Sequence, residues 1–161
     1  ESKLWSIYLI PKSFMIYSIF SILTLISSGF LIDKFSSRKI LPFMNLPMIA
    51  GLILLYLFNY NYIAYIFFGF LGISNGLANV LGSSTWAEVY GVKFIGSIKA
   101  LTTALMVFST AFGTALFGFF IDIGFSIENI SMICASYTIL SLIFLLMIKD
   151  KIEPIYLTEK A

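Results

Sequence analysis

The sequence contains no histidine and only one cysteine, Cys134. The absence of histidine excludes Ser-His-Asp triads, histidine-ligated haem and most zinc chemistry. A single cysteine forms neither an intrachain disulfide nor a multi-cysteine metal site. Apart from Asp33 and Glu88, no paired carboxylates can be found, and no nucleophile stands beside a base. We therefore expect no catalytic residues, no metal and no cofactor, and predict that the protein is not an enzyme.

Charge is also scarce. Only 11% of the 161 residues are charged, against about 25% in a typical soluble domain. Hydrophobic residues make up 60%, and the mean hydropathy is +0.99. The net charge of +2 comes from scattered basic residues and does not form the basic surface that nucleic-acid binding needs. The chain is predicted to lie in a lipid bilayer, with no nucleic-acid partner.

Five apolar segments are long enough to cross that bilayer, which takes about 20 residues each. They predict an all-α, polytopic integral membrane protein. The residues before them, around Leu4–Tyr8, are expected at the interface, where Trp and Tyr settle. Because the chain opens with Glu1 and not Met, we expect a fragment. The predicted spans are residues 14–32, 40–58, 62–86, 101–121 and 127–148, followed by a polar, loose tail at 149–161.

The first span carries a narrow polar stripe that includes Tyr17, Ser21 and Thr24. Such hydroxyl groups either bond back to their own helix or join it to a neighbour, or they line a wet cavity. Both interpretations are open at this point. We name Tyr17, Ser21 and Thr24 as candidates for a solute path.

The third span has one small and polar side. Gly72 and Gly76 form a GxxxG motif, which favours close helix packing. Asn75 and Asn79 lie one turn apart near these glycines. Because an amide in hydrocarbon is costly unless it is paired, these two side chains predict a cavity wall that hydrogen-bonds a solute. In the fourth span, Thr103 and Thr110 share one face and extend the list of path candidates.

Two polar interruptions carry positive charge. The first runs from Gly29 to Lys39 and contains Asp33, Lys34 and Arg38. It resembles the loop signature of the major facilitator superfamily, G-x-x-x-D-[RK]-x-G-x-[RK]-[RK], with Ser36 in place of the second glycine. The second interruption, from Trp86 to Lys99, includes Glu88 and resembles the loop before the eleventh span of bacterial facilitators. It is most similar to carriers of monocarboxylates and of oxalate and formate.

The resemblance implies a secondary transporter that works by alternating access, of which this chain would be spans eight to twelve. The missing N-terminal half of the same carrier would then be a partner. The first, third and fourth spans here would line the central cavity. The residues that match the family's cytoplasmic loop and gate are Gly29, Asp33, Lys34, Arg38, Lys39 and Glu88. The resemblance of the second loop favours a small organic anion as solute.

Lysine and arginine fall in alternate loops, around Asp33, around Glu88 and at the C-terminus. By the positive-inside rule, these three regions are cytoplasmic. We expect the inner membrane of a bacterium. Two alternatives from other classes remain at this stage. One is a non-transporting membrane subunit that packs through its GxxxG face, and the other, less favoured, is an integral-membrane enzyme.

Overall fold

The structure, a computed structural model, describes residues 8–149. Regular structure in this part of the chain is entirely helical, and five helical segments are long and apolar enough to cross a membrane. The prediction of an all-α, polytopic integral membrane protein is confirmed. The helices are α1 (Leu9–Phe35), α2 (Ser37–Ile40), α3 (Leu46–Leu57), α4 (Asn61–Tyr90), α5 (Ile95–Asp122) and α6 (Ile127–Ile148).

The second crossing segment is irregular at its start. Helix α2 leads into a 3-10 turn at Leu41–Asn45 and only then into α3. The two prolines explain this break, because each lacks the N–H that a continuous α-helix needs and its ring crowds the preceding turn. Pro42 opens the 3-10 turn and Pro47 lies in the first turn of α3. The irregularity therefore lies before Pro47.

Helix α1 begins at Leu9, with Pro11 in its first turn, where a missing N–H has no cost. This start is earlier than residue 14, which the apolar run alone suggested. The tail at 150–161 and most of Leu4–Tyr8 lie outside the described residues.

Helices α1 and α4 form the main contact of the molecule and run parallel. Gly69 of α4 lies beside Ile16 and Phe20, and farther along the chain Gly76 lies beside Thr24 and Leu25. A small residue on one helix allows the backbones to approach closely, which is a common basis of association in lipid, where apolar burial supplies little driving force.

Helix α3 packs against both α4 and α6. Two hydrogen bonds tie its entry to these neighbours. The Ser74 hydroxyl of α4 donates to the Met44 carbonyl at 2.7 Å, and the Asn45 amide donates to the Ser141 hydroxyl of α6 at 3.5 Å. Helix α5, by contrast, has no buried residue and touches the rest of the described chain only weakly.

Many hydroxyl groups within the described helices are satisfied locally. Ser13, Thr110 and Thr138, for example, each donate to the backbone carbonyl four residues earlier, at 2.7–2.8 Å. In hydrocarbon an unpaired polar group costs several kcal/mol, so this bonding lets serine and threonine occupy apolar spans.

Candidate functional site

The most polar contact in the described chain joins the turn after α1 to the last turn of α4. The carboxylate of Glu88 accepts four hydrogen bonds there. At Oε1 the donors are the Ser36 hydroxyl at 2.5 Å and Arg38 Nε at 2.8 Å. At Oε2 they are the Ser37 N–H at 3.0 Å and the Ser37 hydroxyl at 2.5 Å. We call Ser36, Ser37, Arg38 and Glu88 the Glu88 network.

The local sequence places these donors together. Helix α1 ends at Phe35, and Ser36 turns the chain with φ 68° and ψ 136°. Helix α2 therefore starts at once with Ser37, whose N–H has no partner within its own helix. The side chain of Glu88 takes the place of a helix cap for that N–H. On the other side, Gly91 ends α4 with φ 74°.

The electrostatics of the Glu88 network are those of an ionised carboxylate. Every group directed at Glu88 donates, and only the charged form can accept at both oxygens without giving a proton. The Arg38 and Glu88 side chains are 25% and 23% exposed, so the ion pair is largely shielded from solvent. A shielded pair resists separation more than a surface pair does, because each charge would remain poorly hydrated when its partner leaves.

The remaining loop residues named from the sequence lie outside this network. Asp33, Lys34 and Lys39 are exposed, and no ion pair of Asp33 is found among residues 8–149. Lys34 Nζ lies 5.3 Å from the centre of the Phe35 ring. Gly29 is half-buried, and a Cβ there would meet nothing within 4 Å. The structure thus brings together Arg38 and Glu88, but not Asp33.

Sequence reasoning missed the two serines as partners of Glu88. The sequence singles out Ser36 only as the residue in place of the signature's second glycine, and it gives Ser37 no role. A signal was present, because hydroxyl side chains beside Arg38 can share an anionic partner with it. Which carboxylate they share depends on how α1 and α4 pack, and that information is not local.

Three of the predicted path residues lie where α1 meets α4. A Cβ on Gly72 would collide with the Tyr17 carbonyl, and one on Gly76 would come within 2.7 Å of the Ser21 carbonyl and 2.9 Å of Thr24 Cβ. The GxxxG glycines therefore serve close packing against α1.

The other path residues lie on more open faces. Asn79 is exposed, and its amide donates to the Asn75 backbone carbonyl at 2.9 Å, whereas Asn75 is half-buried. Thr103 and Thr110 lie exposed on α5. The candidates are thus divided between the α1–α4 contact and exposed faces of α4 and α5.

An open groove of about 300 Å³ also lies between α1 and α4, but its lining is apolar and aromatic. It contains none of the predicted path residues, and in a bilayer acyl chains suit it better than a polar solute. Its walls are Phe20, Tyr65, Ile66, Gly69, Phe70 and Ile73.

Thr85, one turn before Glu88 on α4, is an exception to the local bonding of hydroxyls. The residue is only 6% exposed, and its Oγ1 has no hydrogen-bond partner among the described residues. A buried hydroxyl without a partner costs about 1–3 kcal/mol. The hydrogen-bonding capacity of the Thr85 hydroxyl is therefore not satisfied in this packing of α4.

Among residues 8–149, five apolar segments are long enough to cross a membrane, and a shielded ion pair joins the ends of two parallel helices. These features define a polytopic helical membrane protein. The sequence model of the Major Facilitator Superfamily matches residues 6–160, and the chain belongs to that family. Members of the family are transporters, not enzymes. Searches of curated proteins and of solved structures found no match.

Proposed function

We propose that this chain is part of a secondary transporter that moves a small solute by alternating access, and that the Glu88 network closes one end of its solute path. The observation that carries the proposal is the 2.8 Å contact between Arg38 Nε and Glu88 Oε1. It links two crossing segments at one membrane face, and both partners come from loops that resemble the family's cytoplasmic loops.

Such a contact suits a closure that has to form and break in each cycle. Removing one partner of a shielded pair costs about 3–5 kcal/mol, because the other charge is left uncompensated. Two conformations of a carrier differ by only a few kcal/mol. The loss of one charge is therefore large enough to invert the balance between them.

Orientation follows from the distribution of lysine and arginine. The loops that contain Arg38 and Lys93 are rich in these residues, whereas the loops around Asn61 and Gly124 have none. We propose that the Glu88 network faces the cytoplasm of a bacterial cell, that the C-terminus lies on the same side, and that the N-terminal half of the carrier completes the path.

The solute we favour is a small organic anion, on the resemblance of residues 86–99. The path would include Asn75, Asn79, Thr103 and Thr110, whose amides and hydroxyls bind by hydrogen bonds. No charged residue lies in the middle of a predicted span, so a group that neutralises the anion would have to come from outside these segments.

A non-transporting subunit that packs through its GxxxG motif is less well supported. Gly72 and Gly76 already face α1 of the same chain, so this surface is used within the molecule. The GxxxG motif, which suggested packing against another protein, therefore packs against α1 of the same chain.

The test is to neutralise each partner of the pair in the intact carrier, with Arg38→Gln and Glu88→Gln, and to measure solute uptake into vesicles together with membrane insertion. We expect normal insertion and uptake reduced at least tenfold, since about 1.4 kcal/mol is tenfold in an equilibrium. Lys93→Gln, an exposed lysine outside the Glu88 network, is the control and should transport like wild type. Wild-type uptake in both pair variants would refute the closure.

A further inference from the structure

Ser36 combines an unfavourable backbone with a favourable side-chain contact. It is the one residue other than glycine with positive φ among the described residues. A side chain at φ 68° and ψ 136° is strained, and glycine would be free of that strain. The same side chain donates to Glu88 Oε1 at 2.5 Å, which a glycine could not do.

Both effects depend on the same contact between distant parts of the chain. Ser36 and Glu88 are 52 residues apart in sequence, so their hydrogen bond lasts only while the end of α1 and the end of α4 lie together. When these ends separate, the hydroxyl loses its anionic acceptor, and the bond from the Ser36 N–H to the Ile32 carbonyl at 3.1 Å is the local contact that remains at this turn.

We propose that Ser36 is a positioning residue that sets how firmly the Glu88 network closes, because its strained backbone opposes the closed arrangement while its hydroxyl group stabilises it. This inference rests on the proposed function. The serine adds its own bond to Glu88 beside those of Ser37 and Arg38, whereas a glycine at the same turn would lose that bond together with the strain and would close about equally well.

The proposal predicts an unusual order of two substitutions. Ser36→Ala keeps the strain and loses the hydrogen bond to a charged group, so the closed population should fall about ten- to a hundredfold relative to the open one. Ser36→Gly loses both the bond and the strain, which offset each other, and should stay within about threefold of wild type. Alanine is therefore expected to be more harmful than glycine.

Ser37 provides a matched control. It donates to the same carboxylate, but it is the first residue of α2 and has no positive φ. Ser37→Ala and Ser37→Gly both remove the hydroxyl bond, and glycine adds the entropic cost of ordering a more flexible backbone. At Ser37 the order should therefore reverse, with glycine at least as harmful as alanine.

The measurement is the distance distribution between spin labels in the intact carrier in lipid vesicles. Labels would be attached at Lys34→Cys and Val92→Cys, both exposed beside the Glu88 network, in a Cys134→Ser background. The short-distance fraction reports the closed population. Expected are a large loss for Ser36→Ala, little change for Ser36→Gly, and the reverse order at Ser37.

Two results would overturn the inference. If distances respond to Arg38→Gln but Ser36→Ala and Ser36→Gly are equal, or glycine is worse, Ser36 does not balance strain against bonding and the proposed closure still stands. If a single distance persists in every variant, Arg38→Gln included, the ends of α1 and α4 do not separate, and both the inference and the proposed function fail.

Discussion

Individual residues of the Glu88 network show how a membrane protein keeps charge at the end of an apolar helix. Glu88 satisfies both oxygens with neighbours from the turn after α1, and one of those neighbours is the only arginine in the chain. The guanidinium group suits this position because it stays ionised and directs its N–H groups in a fixed geometry. The shielded ion pair is thus maintained by a few short, directional contacts.

Replacing Thr85 is expected to stabilise the closed arrangement, whereas substitutions in the Glu88 network are expected to destabilise it. Thr85→Val removes a buried hydroxyl that has no partner among the described residues and keeps nearly the same shape. We expect the closed arrangement to become more stable by about 1–3 kcal/mol, seen as a higher melting temperature of the purified carrier and a larger short-distance fraction.

The comparison for Thr85 is Thr102→Val. The Thr102 hydroxyl donates to the Ile98 carbonyl at 2.9 Å, so the same replacement removes a bond and should bring no gain. A melting temperature of Thr85→Val at or below that of wild type would show that the hydroxyl is satisfied in the native protein.

Among the helices, the α1–α4 contact depends on two glycines. Gly76→Ala would place a methyl group 2.7 Å from the Ser21 carbonyl, which neither backbone can avoid without moving apart. We expect a loss of about 1–3 kcal/mol in stability, the usual cost of overpacking, measured as a lower melting temperature in detergent.

Gly82→Ala on the same helix is the control, because a Cβ there meets nothing within 4 Å. Alanine is favoured over glycine in a helix by up to about 1 kcal/mol, so this variant should melt at or above the wild-type temperature. Equal losses in the two variants would mean that α1 and α4 do not approach at Gly76.

The path residues on α4 and α5 are tested by solvent access. Cysteines at Asn79 and Thr110 should react with small water-soluble thiol reagents in the intact carrier if these faces line a wet cavity. Cysteines at Leu55 and Leu77, on the aliphatic sides of α3 and α4, should remain unreactive. Equal labelling at all four positions would remove the cavity argument.

The sequence was informative about the helices and less so about their contacts. Long apolar runs and the GxxxG glycines predicted the crossing segments and a close helix contact, because both depend on local composition and period. The partner of the glycine face could not be predicted, since Gly76 meets Ser21 from a segment 55 residues earlier. The turn at Ser36 was indicated only by the glycine that the loop signature has at this position, because serine itself rarely adopts positive φ.

On the scale of the whole molecule, the order of crossing segments agrees with the alternation of charge between loops. The turn after α1 and the end of α4 meet at the Glu88 network. The loops that follow these two helices are the two loops between crossing segments that are rich in lysine and arginine. Helices α1 and α4 run in the same direction, because the single crossing segment between them, Ser37–Leu57, runs back in the opposite direction.

Topology is tested with reporters fused at four loops. A reporter active only in the cytoplasm should work when fused after Ser36 or Val92 and should be silent after Asn61 or Gly124, because lysine and arginine are retained inside. Reporter activity after Asn61 would invert the orientation and move the Glu88 network to the outer face.

The close approach at Gly76 and the ion pair at Glu88 lie on the same pair of helices, twelve residues apart on α4. At 1.5 Å per residue, the two positions are about 18 Å apart along the axis of α4. If α4 tilted by about 10° relative to α1 about the contact at Gly76, Glu88 would move by about 3 Å over that length. That displacement is comparable to the length of the contact between Arg38 and Glu88, so a small tilt at the glycine contact is enough to separate the ion pair.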